Sequence, residues 1–142
     1  MHEFRRFFLI AAASLSMLAL SGMSSASGQK DFKKIISAQI EAFGRDDAVG
    51  AFSYASPGIR SKFQTPERFM QMVRSGYAPV YRPKSLSFGK VSNEFGGRPT
   101  QHVVFIDQSG RVWTALYAFE HQPDGSWKID GVTFTKTDEI IS

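Results

Sequence analysis

The ionisable candidates for acid–base chemistry on the strands and at their ends are His102, Asp107, Tyr117, His121 and Asp130. His102 alternates onto the strand face of Val104 and Ile106. It serves as a general base only if a carboxylate or a substrate lies within hydrogen-bond reach. Tyr117 is in register with Trp113, Ala115 and Phe119, an aromatic face able to line a pocket with the phenol as its polar group. The competing reading is core packing, with the hydroxyl satisfied by a backbone group. Asp107 opens a turn, where its carboxylate can bond the backbone, and His121 stands beside another turn. Asp46 and Asp47 look like a carboxylate pair, but adjacent helix-start positions diverge and capping explains at least one of them. His102 and Tyr117 are left as the catalytic candidates.

A binding strip is the alternative. Tyr77-Ala78-Pro79-Val80-Tyr81-Arg82-Pro83 holds two tyrosines and an arginine on a proline-braced segment. A stiff segment loses little entropy on binding, and Arg82 could clamp a carboxylate or phosphate. Arg74, Tyr77, Tyr81, Arg82, Trp113 and Tyr117 are therefore the ligand-binding candidates, for an amphipathic or anionic small molecule. The same strip also reads as a structural brace between helix and sheet.

Several chemistries are excluded. With no cysteine there is no disulfide, thiolate nucleophile, thiolate-bound metal or lipid-modified cysteine. The spacing of His, Asp and Glu fits no metal site, no Gly-rich loop leads from a strand into a helix, and no serine sits in a nucleophile elbow. No cofactor is expected.

The elements that must position these residues come as helices, then strands. Apolar Phe32, Ile35, Ile36, Ile40 and Phe43 form one stripe of a helix over 31–43, with Gly44 as its cap. Asp46 or Asp47 caps a second helix that buries Val49 and Phe52. Ser56-Pro57 and Thr65-Pro66 start two more. The last of these buries Phe69, Met70 and Val73 and stops at Gly76. Residues 77–83 should run extended through their two prolines. Strands follow at 84–92, 100–107, 111–121 and 126–136, joined by short turns and hence an antiparallel meander. A bulge at Gly131 would keep Trp127 and Ile129 on one face with Val132 and Phe134. The fold class is α+β, with N-terminal helices packed on a curved four-stranded antiparallel sheet.

Composition sets the frame. At 142 residues, 42% hydrophobic and 21% charged, with 13 phenylalanines, the chain has the makings of a globular core. Residues 1–26 read as an export signal: Arg5-Arg6, an apolar run from Phe7 to Leu20, and small residues at Ser24-Ser25-Ala26. The run is short for a membrane span, so no integral span is expected once it is removed. Residues 27–142 are then a single exported domain, periplasmic or secreted. Arg5-Arg6-Phe7-Phe8-Leu9 is also similar to the twin-arginine export pattern, and general secretion is the other route. Without residues 1–26 the charge is 15 basic against 12 acidic groups, net +3. Residues 58–90 hold seven basic groups against Glu67 alone. Such a segment suits an anionic ligand or a solvated face, and export disfavours nucleic acid.

The closing strand Gly125-Ser126-Trp127-Lys128-Ile129 resembles the nuclear-transport-factor-2-like (cystatin-like) superfamily, in which a curved sheet wraps on helices as a cone. More closely, residues 30–135 resemble a bacterial domain-of-unknown-function family, number 4864. The carrying stretches are Gln39-Ile40-Glu41-Ala42-Phe43, Ala55-Ser56-Pro57-Gly58-Ile59, Gly76-Tyr77-Ala78-Pro79-Val80-Tyr81-Arg82-Pro83 and Gln122-Pro123-Asp124-Gly125-Ser126-Trp127. The resemblance implies a fold and transfers no activity. Three functions follow as expectations: a non-catalytic binding module with a pocket in the cone, a lyase- or isomerase-like enzyme using His102 or an Asp with Tyr117, or a module that dimerises through the uncovered sheet face.

Overall fold

A computed structural model of the chain describes residues 30–135. The segment read as an export signal, residues 1–26, lies outside them. The sheet and the helices that cover it belong to the compact unit that begins at Phe32.

The helices follow their caps. α1 covers residues 30–44, and Phe32, Ile36, Ile40 and Phe43 along its stripe are buried. Asp47 caps α2 (Ala48–Ser53), accepting from the Gly50 amide at 3.0 Å. Ser56 and Thr65 cap α3 (Pro57–Phe63) and α4 (Pro66–Gly76) likewise. In both, proline follows at a position whose amide would have no helical partner. Phe69 of α4 is the hub of the helical layer: the rings of Phe43, Phe52 and Phe63 lie 6.1, 5.4 and 5.9 Å from it.

Two expectations need correction. Val49 is 68% exposed, because the short α2 turns Ala51 inward instead. Residues 77–83 are not extended throughout: Ala78–Tyr81 make a single helical turn, α5. Pro79 stands in the first turn, where its missing amide costs nothing, and the Val80 amide donates to the Tyr77 carbonyl at 3.0 Å. Burial of Pro79 and Val80 holds the turn in place.

Strands β1 (Ser85–Ser92), β2 (Thr100–Ile106), β3 (Val112–His121) and β4 (Trp127–Thr135) form an open antiparallel meander in chain order. Its register breaks twice. On β1, Gly89 and Lys90 together oppose His102, between the pairs Phe88 with Val103 and Val91 with Gln101. On β4, Ala118 faces Gly131 and Phe119 faces Ile129, which leaves Asp130 as an extra residue. This second bulge keeps Trp127, Ile129, Val132 and Phe134 on the face of Trp113, Ala115, Tyr117 and Phe119. The helices cover that face: Phe32 stacks on Phe119 at 4.2 Å and meets Trp127 edge-on at 5.1 Å. At the bulge, Ile129 donates its amide to Tyr54 and accepts from the Ser56 amide, fastening the α2–α3 link to β4. The opposite face carries His102, Val104, Ile106 and Leu116. The fold is thus α+β, N-terminal helices on a four-stranded antiparallel sheet.

Candidate functional site

The helical layer does not fill the space it covers. A pocket of about 540 Å3 lies between α1, α3, α4 and the β3–β4 half of the sheet. Its floor is buried: Phe43, Ala55, Phe69, Val73 and Ile129, with Gln39 and Tyr117 as polar members. Its rim is partly exposed: Ile59, Phe63, Met72, Tyr77, Phe95 and Val132, with Lys62 and Asp130 as charged members. Protein cores rarely leave room for more than a water molecule, and small-molecule pockets run roughly 300–1,000 Å3.

Each polar group of this wall has a distinct state. Gln39 is 3% exposed, and its amide nitrogen donates to the Ala51 carbonyl at 3.2 Å, tying α1 to α2. Tyr117 is fully buried, and its hydroxyl has no hydrogen-bond partner among the described residues. Burial raises its pKa, so the phenol stays protonated and is a donor in waiting. Asp130 is committed: Ser56 donates its hydroxyl to one carboxylate oxygen at 2.7 Å, and Arg98 donates to the other at 2.5 Å. Arg98 in turn stacks on the Phe95 ring, its guanidinium carbon 4.5 Å from the centroid. The bulged residue of β4 therefore fixes both the start of α3 and the β1–β2 turn at the pocket rim. Gly131 beside it gives the Phe95 ring room, since a Cβ there would come within 3.2 Å of that ring. Lys62 makes no ion pair among the described residues; its ammonium lies 5.6 Å from the centroid of the neighbouring Phe63 ring.

The structure gathers some of the candidate residues and separates others. Tyr77 and Tyr117 both line the pocket. Arg74, Tyr81 and Arg82 do not. They converge on Asp46, which accepts from Arg74 at 2.9 Å, from Arg82 at 2.8 Å and from the Tyr81 hydroxyl. Tyr81, then Arg74, hold the Asp46 carboxyl below its ordinary pKa. Asp46 itself has φ of 57°, a left-handed backbone that the clamp holds in place. Trp113 lies outside the lining, packs on Phe134 at 5.4 Å and donates its indole N–H to Asp107 at 2.9 Å. His102 and Tyr117 stand on opposite faces of the sheet: His102 is paired with Leu116, Tyr117 with Gln101. They cannot act on one substrate together. His102 Nε2 instead lies 3.0 Å from the Ser92 hydroxyl and 3.5 Å from a Glu94 oxygen. His121 is exposed and stacks on Trp127 at 4.4 Å.

Sequence reasoning missed Lys62, Gln39 and Phe95. Gln39 carried a signal, a polar residue within the apolar stripe Ile36, Ile40, Phe43. Phe95 carried one as well, a bulky apolar side chain in a Gly-Gly turn. Lys62 was one basic residue among seven and had none.

Among the described residues, no helix is long and apolar enough to cross a membrane, and no three His, Asp or Glu side chains are grouped to hold a metal ion. Comparison with the curated proteins and with the solved structures found no match. A family model described as Domain of unknown function (DUF4864) matches residues 25–140, and the chain belongs to that family.

Proposed function

We propose that this protein is an exported, non-catalytic binding module that holds a small, mainly apolar molecule between its helices and its sheet. The pocket carries the reading: about 540 Å3 left open over a buried aromatic floor, in a fold that otherwise packs Phe69 against three rings. An empty apolar space of this size forfeits dispersion contacts that a ligand would restore. The lining offers no free base, since Asp130, its one carboxylate, is held by Arg98 and Ser56. That favours binding over proton transfer. Export is supported by Arg5-Arg6, the apolar run after it and Ser24-Ser25-Ala26.

The test uses N-phenyl-1-naphthylamine, a neutral apolar dye whose emission rises in a dry site. One equivalent should bind with a dissociation constant in the micromolar range, as a pocket with few polar anchors allows. Ile59→Trp, which places an indole at the rim, should remove the binding and leave the unfolding temperature unchanged. Absence of dye binding to the folded protein, or binding that survives Ile59→Trp, would overturn the reading.

A further inference from the structure

The pocket has two tiers with different chemistry, and the difference restricts what can enter. The floor is apolar and buried, and its two polar side chains, Gln39 and Tyr117, are neutral. Moving an ionised group there would strip its hydration with no counter-charge to offset the loss. Any charge on the ligand must therefore remain at the rim.

At the rim the two charged residues are unequal. Asp130 is compensated by the Arg98 guanidinium at 2.5 Å and by the Ser56 hydroxyl at 2.7 Å. Lys62 has no acidic partner among the described residues, and α3, which carries it, holds Arg60 and Lys62 and no acidic side chain. The mouth thus presents an uncompensated cation above an apolar floor.

Resting on the pocket reading, we infer that the ligand is an anionic amphiphile that binds with its hydrocarbon tail on the floor and its head group beside Lys62. A lysine ammonium is a point charge and does not demand the planar geometry that arginine reads. The head is therefore defined by its negative charge, carboxylate or phosphate alike. The orientation is fixed because the reverse arrangement would bury the charge.

Calorimetric titration of the purified protein with decanoate, decyl phosphate, decanol and decyltrimethylammonium, all below their micelle concentrations, tests this. Decanoate should bind about tenfold more tightly than decyltrimethylammonium, the expected size for two opposite charges meeting one partly solvated lysine. The ratio should shrink as salt is raised. Lys62→Gln should bring it close to one, and Lys62→Glu should invert it; the side chain is exposed, so both variants should fold. Decyl phosphate weaker than decanoate would narrow the head to a carboxylate, and the opposite order to a phosphate. If anion and cation bind equally in both the parent and Lys62→Glu, the anionic inference fails while the pocket reading stands. If none of the four binds, decanol included, the pocket reading fails and takes the inference with it.

Discussion

Tyr117 is the side chain on which folding and binding disagree. Its ring is wholly buried in the core, 6.4 Å from the Phe105 ring, but its hydroxyl has no partner among the described residues. A buried donor left unmade costs about 1–3 kcal/mol, whereas removing it leaves an apolar ring of nearly the same shape. Tyr117→Phe should therefore stabilise the ligand-free protein by about 1 kcal/mol in denaturant unfolding. A loss of stability in that variant would mean that the hydroxyl has a partner after all. The aromatic strand face was legible from alternation alone. Whether its tyrosine was satisfied was not, because that depends on atoms supplied by helices far away in sequence.

At the scale of elements, turn chemistry was the most legible part. Ser56, Thr65 and Asp47 cap the helices that their spacing announced, and the bulge beside Gly131 keeps the aromatic face continuous. The misreadings were also local. Proline at the second position of Ala78–Tyr81 starts a turn as readily as it blocks one, and burial of Val80 decided between them. The pairing of Arg74 and Arg82 with Asp46 was not legible either, because nothing in the sequence puts Asp46 between them. The β2–β3 turn yields a pH prediction. Asp107 accepts from the Trp113 indole, then from Ser109, and its pKa is lowered to about 2. An acid whose folded pKa is depressed favours folding above its unfolded value and loses that contribution as pH falls through the folded one. The unfolding temperature should thus drop between about pH 4 and pH 2, with quenching or shift of Trp113 emission over the same range. Asp107→Asn should lose the part of that drop owed to the turn; an unchanged acid profile would refute the assignment.

For the molecule as a whole, the helices-then-strands order and the α+β class were readable because each rests on periodicity within a dozen residues. A pocket was expected only from the cone of the resembling fold; its lining was not legible, since its volume is what the helical layer and the sheet fail to fill and no single stretch encodes it. Processing at Ala26 belongs to this scale as well. Protein recovered from the exported fraction of its host should have the intact mass of residues 27–142, with a net charge of +3. Retention of residues 1–26 in that fraction would refute cleavage there.

The paired residues Gly89 and Lys90 bear on how such molecules behave when crowded. β1 is an outer strand of an open sheet, and a straight outer strand is a template on which a second chain can add itself. Here the template is broken halfway. Two residues take the room of one, the Gly89 carbonyl accepts from the Gln101 side chain at 2.9 Å, and a lysine is set into the break. A Cβ on Gly89 would approach His102 to 3.2 Å, a tight contact that a glycine avoids. An incoming strand could match β1 before the break or after it, but not across it. A break of this kind at a sheet margin works against strand-by-strand addition along it.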